Sequence, residues 1–157
     1  AEALRRGLDA RLVLAGVANE PGFYAPLTGM IAAHGLEDRV SILLDRADVE
    51  AILAEADIFV LPSREEGFGL ALVEAMAADL PVIAARTGGA AGLVTHEVNG
   101  LAFTPEAVGE LADAMLRLAQ DPTLGRRLAD RGRETAGRYD IRATVDTLAG
   151  LYRRLVG

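Results

Sequence analysis

The sequence predicts an α/β domain built on a parallel, doubly wound sheet, with extra helices at its C-terminal end. Three observations lead there. Short apolar runs bounded by glycine, proline or charged residues recur along the chain, helical patterns separate them, and the last third carries helical periodicity alone. Strands that alternate with helices pair in parallel. Ligands of such sheets bind beyond the strand C-terminal ends, at a topological switch point.

Taken in order, Ala1 to Gly7 lacks an initiator methionine and reads as the end of a helix already under way, so an excerpt of a longer chain is expected. Arg11 to Gly16 is a buried-type strand. A loop holding Asn19, Glu20, Pro21 and Gly22 follows, then a helix to about His34 that Gly35 ends. Arg39 to Leu44 is the second strand, Asp48 to Glu55 a short helix, and Asp57 to Leu61 the third strand. Pro81 to Ala85 is the fourth. Gly88, Gly89 and Gly92 mark a glycine-rich loop, and Asn99-Gly100 turns into a fifth strand near Leu101 to Phe103. Thr104-Pro105-Glu106 is expected to cap a helix, with proline in its first turn, carrying Ala107, Leu111, Ala114, Met115 and Leu118 on one face. Two amphipathic helices close the chain, about Pro122 to Gly137 and Asp140 to Leu155. No internal repeat, low-complexity tract or linker is present.

Composition narrows the function classes. At 157 residues with 51% hydrophobic content and a mean hydropathy of +0.24, the chain is one domain's worth with enough apolar material for a core. Its apolar runs are far shorter than the roughly 20 residues of a transmembrane helix. Net charge of −7 and a pI near 4.8 speak against general nucleic-acid binding, so an anion site must be local. Zero cysteines exclude disulfides and thiol chemistry and fit a reducing, cytoplasmic setting. All sixteen basic residues are arginine, which removes Schiff-base catalysis and a Walker lysine. His34 and His96 have no neighbours at metal-ligand spacing and read as surface or helix-end residues.

The stretch from Asp57 to Pro81 holds the chemistry. Pro62 stops the third strand, and Ser63-Arg64-Glu65-Glu66-Gly67-Phe68-Gly69 is polar, glycine-bearing loop. From Leu70 to Ala78 only Glu74 is not apolar, which predicts a helix buried nearly all round. A lone carboxylate there must be paired or face a polar cleft, since a dry, unpartnered charge costs several kcal/mol. Two glycines flank Phe68 where free N–H groups and the positive end of the helix dipole favour an anion. Phosphate is the natural candidate, with Glu66 and Glu74 near hydroxyl groups such as those of a sugar or ribose.

Pro62-Ser63, Glu66-Gly67-Phe68-Gly69-Leu70, Glu74-Ala75-Met76-Ala77, Pro81-Val82-Ile83-Ala84 and Gly88-Gly89 arrive in one register. Together they resemble the C-terminal, nucleotide-sugar-binding half of a family 4 retaining glycosyltransferase of GT-B architecture, whose hallmark is two glutamates with seven residues between them. The resemblance covers essentially the whole chain. It implies a Rossmann-like domain that binds the donor, an N-terminal domain of the same enzyme across a cleft, and transfer of a sugar, typically a hexose, from a nucleotide diphosphate to an acceptor that the sequence does not identify. By resemblance Glu74 bonds the ribose hydroxyls, and Glu66, the catalytic candidate, holds or orients the transferred sugar. Backbone N–H groups of Gly67, Gly69 and Leu70 meet the sugar or diphosphate, while Gly88 and Gly89 shape the neighbouring loop or serve only its turn. The Phe68 ring is expected to plug the core while its backbone serves the ligand. Asp-x-Asp, the metal motif of the other large glycosyltransferase architecture, is absent; Asp48-Val49-Glu50 is its nearest echo and reads as helix surface. No cofactor or metal is therefore expected.

Four positions depart from the pattern. Gly92 stands where relatives carry a glutamate, Asp79 stands where glycine ends the motif helix, and Leu44-Asp45 replaces a glycine-bearing loop. The arginine and lysine that clamp the diphosphate in relatives precede the strand before Gly16 and are missing. So is the domain's first strand, which would lie between Arg11–Gly16 and Asp57–Leu61 and leaves either a gap or an improvised pairing there. The chain by itself is accordingly expected to transfer no sugar. A non-catalytic nucleotide-binding module and a nucleotide-sugar epimerase share this architecture and remain open at this level.

Overall fold

The computed structural model describes residues 1–17, 22 and 24–156. The predicted loop residues Asn19, Glu20 and Pro21 lie outside the described residues. In chain order the elements are α1 (Glu2–Arg5), β1 (Leu12–Gly16), α2 (Tyr24–Ala33), β2 (Val40–Leu44), α3 (Val49–Ala54), β3 (Phe59–Leu61), α4 (Leu70–Ala77), β4 (Val82–Ala85), α5 (Gly88–Leu93), β5 (Leu101–Phe103), α6 (Val108–Gln120), α7 (Pro122–Ala136) and α8 (Ile141–Val156), with a short 3₁₀ turn at Gly137–Tyr139. All strand pairs within the two sheets are parallel: β1 with β2, and β3-β4-β5 in that order. This is the expected Rossmann-like α/β alternation.

The chain divides into two units, Ala1–Ile52 and Leu53–Gly157. In the first, β1 and β2 pair from Leu12↔Val40 to Gly16↔Leu44. Within its own unit β1 is not the buried strand that its apolar run predicts. Leu12 and Val13 are 44% and 47% exposed, and Ala3 is the one buried residue among those described in this unit.

The second unit has a built core. Along β4 every residue is buried, and the period of two splits them between opposite faces. Val82 and Ala84 join Leu72, Ala75, Met76, Ala90 and Leu93 on the side of α4 and α5. Ile83 and Ala85 join Leu101, Phe103, Ala114, Leu118, Leu124 and Leu128 on the side of α6 and α7. Asp121 caps α7 by accepting the Leu124 N–H at 2.9 Å, and Pro122 opens the helix, where its missing N–H costs nothing.

Three expectations need correction. α4 is not buried all round: Leu72, Ala75 and Met76 face the core, while Leu70, Ala71, Glu74, Ala77 and Ala78 are exposed. An apolar helix sequence does not by itself compel a second covering layer. The predicted glycine-rich loop is instead α5, because Ala90 and Leu93 anchor one side of a helical turn in the core. α6 begins at Val108 without a side-chain cap, later than Thr104-Pro105-Glu106 predicts. Glu106 takes a left-handed φ of 65° that breaks the helix before it can start. Glu110 reaches back to accept the Thr104 N–H at 2.7 Å, and that bond holds its carboxyl below the ordinary carboxylate range.

The two aspartates that replace expected glycines keep the backbone of glycine. Asp45 has φ of 53° and Asp79 φ of 60°, both in the left-handed region that aspartate tolerates better than most residues. At Asp79 the helix end is a complete Schellman motif. The Leu80 N–H donates to the Ala75 carbonyl at 3.1 Å and the Asp79 N–H to the Met76 carbonyl at 3.3 Å.

Candidate functional site

The register Leu61↔Ala84 sets the C-terminal ends of β3 and β4 side by side, so the loop after one strand meets the turn after the other. The expectation of one shared rim holds. Pro62 ends β3, and residues 63–69 form the loop that leads into α4. The Gly89 N–H donates to the Glu66 carbonyl at 2.9 Å, and the Thr87 hydroxyl donates to the Ser63 carbonyl at 3.1 Å.

The glycine pair has a mechanical reason to be there. A Cβ at Gly88 would lie 2.0 Å from the Glu66 carbonyl oxygen, and one at Gly89 would lie 2.5 Å from both the Cα and the carbonyl oxygen of Phe68. Backbone packs directly on backbone. Gly88 and Gly89 thus press on the glutamate-bearing loop itself. Gly92 faces open space on the exposed side of α5.

This packing also explains a wrong expectation. Phe68 does not plug the core: its ring is 43% exposed and meets Tyr139 edge-on, with centroids 5.4 Å apart and planes at 72°. The α5 backbone occupies the space beneath residue 68, which leaves no room for a ring and turns it outward onto the 3₁₀ turn.

Glu66 is half-buried, and its Oε2 accepts a hydrogen bond from the Ser63 hydroxyl at 3.3 Å. It is not a freely solvated loop carboxylate. Gly69, the residue before α4, is buried with φ of 93°, and no side chain caps the helix. Such an end presents N–H groups and the positive dipole end to an incoming anion. Gly67, two residues before it, and Leu70, the next residue, are exposed. Arg64, the basic residue of the loop, is engaged at the surface by Glu106 at 2.8 Å.

Glu74 lies one turn beyond Leu70 on the exposed face of α4. Among the described residues its carboxylate has neither a hydrogen-bond partner nor an ion-pair partner, so it does not serve as a core partner here. Its carboxylate can accept hydroxyl protons with both oxygens. An uncapped helix start, a half-buried glutamate beside it and an exposed glutamate one turn on together provide contacts for a phosphate and for hydroxyl groups.

His34 and His96 are surface residues as expected, and His96 accepts the Ala102 N–H through Nδ1 at 3.0 Å. Among the described residues no group of three or more histidine, aspartate or glutamate side chains converges in a way that could hold a metal ion. Among the described residues no helix is long and apolar enough to cross a membrane. Sequence reasoning missed the hydroxyls of Ser63 and Thr87, although Pro62-Ser63 was part of the motif. Their work depends on which strand lies next to which.

Comparison with known proteins bears on the family and the fold. Residues 1–135 match the family model described as glycosyl transferases group 1. The alpha-D-kanosaminyltransferase of Streptomyces kanamyceticus is 35% identical over 99% of the chain and 40% of its own length. The D-inositol 3-phosphate glycosyltransferase of Saccharomonospora viridis is 35% identical over 94% of the chain and 36% of its own length. Among solved structures, Anabaena HepE in complex with UDP-glucose superimposes with a TM-score of 0.90 at 32% identity, covering 98% of the chain and 43% of HepE. The chain spans about two-fifths of the length of these relatives. It belongs to the glycosyl transferases group 1 family and has the fold of a GT-B glycosyltransferase's C-terminal domain.

Proposed function

We propose that the chain is the donor-binding half of a retaining glycosyltransferase that moves a sugar, hexose-type, from a nucleoside diphosphate to an acceptor. The observation that carries this reading is Glu74, exposed one turn from the uncapped start of α4, its carboxylate without a partner among the described residues. In the proposed pose that helix start receives the diphosphate through N–H groups of Gly67, Gly69 and Leu70, Glu74 accepts the ribose hydroxyls, and Glu66 holds the transferred sugar. Gly88 and Gly89 support the loop from below. HepE, whose structure holds UDP-glucose, lends support to a nucleotide sugar as the donor.

The rest of the machine is proposed on the same footing. An N-terminal domain of the same enzyme, across the cleft, supplies the acceptor site. Donor binding proceeds without a bound cation, a reading supported by the lack of Asp-x-Asp. A cytoplasmic location rests on the cysteine-free sequence.

Thermal melting of the chain with UDP, GDP or ADP tests the donor site. Ligand at one hundred times its dissociation constant stabilises a one-site protein by about 2.7 kcal/mol, so a millimolar dose of the matching nucleotide should raise the melting temperature by several degrees. No shift with any of the three would contradict the reading.

A further inference from the structure

We propose that Ser63 is a positioning residue for Glu66, fixing the direction of its carboxylate, and that Thr87 holds Ser63 in place. The inference rests on the proposed role of Glu66 at the transferred sugar. Three hydrogen bonds outline it. Ser63 donates its hydroxyl to Glu66 Oε2 at 3.3 Å, Thr87 donates its hydroxyl to the Ser63 carbonyl at 3.1 Å, and the Gly89 N–H donates to the Glu66 carbonyl at 2.9 Å. The last two hold backbone, one on each side of the loop. Only the first touches the carboxylate.

A glutamate has three side-chain torsions, and a half-buried loop position does not settle them all. Backbone clamps fix where the Cα of Glu66 sits, but the aim of its carboxylate needs a partner of its own. Ser63 is that partner: among the described residues it makes the side-chain hydrogen bond to Glu66. Its hydroxyl uses one of the carboxylate's acceptor sites and leaves Oε1 and the remaining lone pairs for sugar hydroxyls. Its backbone is set in turn by Thr87, the residue before α5 and two past the end of the adjacent strand β4. The two parallel strands thereby locate the carboxylate from both sides, an arrangement in which first contacts are supported by a second layer.

Kinetics of the full-length enzyme test this. Ser63→Ala should lower kcat with the complete donor about three- to tenfold, the size of a typical net hydrogen bond, while nucleoside diphosphate affinity and melting temperature stay unchanged. Ser63→Thr keeps the hydroxyl and should restore most of the rate. In a Glu66→Gln background Ser63→Ala should cost much less than it does alone, because residues that act through one another are not additive. Full, additive losses in that background, a normal rate for Ser63→Ala, or failure of the threonine variant to recover would each overturn the proposal. If Glu66→Gln alone leaves turnover intact, the role of Glu66 itself is wrong, a result separate from a failure of Ser63.

Discussion

Gly89→Ala and Gly88→Ala are expected to lower the melting temperature by about 5–10 °C and to abolish donor-dependent activity in the full-length enzyme. A methyl group at Gly89 would sit 2.5 Å from the Phe68 backbone, and one at Gly88 would sit 2.0 Å from the Glu66 carbonyl oxygen. Neither neighbour is a side chain that can rotate away. Overpacking costs about 1–3 kcal/mol or more, and each kcal/mol is worth about 2–4 °C in a domain of this size. Relief comes by moving the glutamate-bearing loop, which is why activity falls further than stability. Gly92→Ala is the control: it meets open space within α5 and should leave the melting temperature unchanged or slightly higher. Equal melting temperatures for all three variants would show that the two loops do not interlock as described.

Asn99→Leu should cost about 3 kcal/mol or more. Asn99 is 7% exposed and bonds in three directions: Oδ1 accepts the Thr95 N–H at 2.7 Å, and Nδ2 donates to the Leu93 carbonyl at 2.9 Å and the Thr135 hydroxyl at 3.0 Å. It ties the end of α5 to α7. A leucine of similar volume leaves the carbonyl of the buried Leu93 without its partner, at about 1–3 kcal/mol, and also removes the bonds to the Thr95 N–H and the Thr135 hydroxyl. Thr135→Val removes a single partner, one with its own alternative bond to the Arg131 carbonyl at 3.0 Å, and should cost about 1 kcal/mol. Chemical denaturation of both variants measures the two losses, and a Thr135→Val cost as large as that of Asn99→Leu would contradict this division of labour.

These two sites mark what the sequence reveals and what it hides. The strands were legible within about two residues because short apolar runs end at Pro62, Gly16 or Gly100, and the hinge from β3 to α4 was legible from loop chemistry and spacing. Asn99 reads locally as half of an Asn-Gly turn; nothing near it announces that Thr135 will come within hydrogen-bonding distance. Gly88-Gly89 reads as a flexible loop, because the need for glycine comes from the Glu66 and Phe68 backbone more than eighteen residues earlier. Phe68 and α4 failed for one shared reason. Hydropathy measures what a residue would gain from burial, whereas burial itself depends on whether another element arrives to cover it. The site glutamates differ in kind, since their spacing within one loop and one helix is local geometry: Glu66 lies half-buried in the loop and Glu74 on the exposed face of α4.

The most direct measurement is a comparison of Glu74→Gln and Glu66→Gln in the full-length enzyme, scored by nucleoside diphosphate affinity, turnover with the complete donor, and melting temperature. Glu74→Gln should weaken nucleoside diphosphate binding about ten- to hundredfold, because an amide accepts hydroxyl protons through one oxygen where the carboxylate used two, and bonds to a charged group are worth about 1.5–3 kcal/mol. Its melting temperature should not change, given an exposed carboxylate with no partner among the described residues. Glu66→Gln should leave nucleoside diphosphate affinity nearly unchanged and lower turnover. Normal nucleotide affinity in Glu74→Gln, with or without loss of stability, would contradict the donor-binding assignment at its centre.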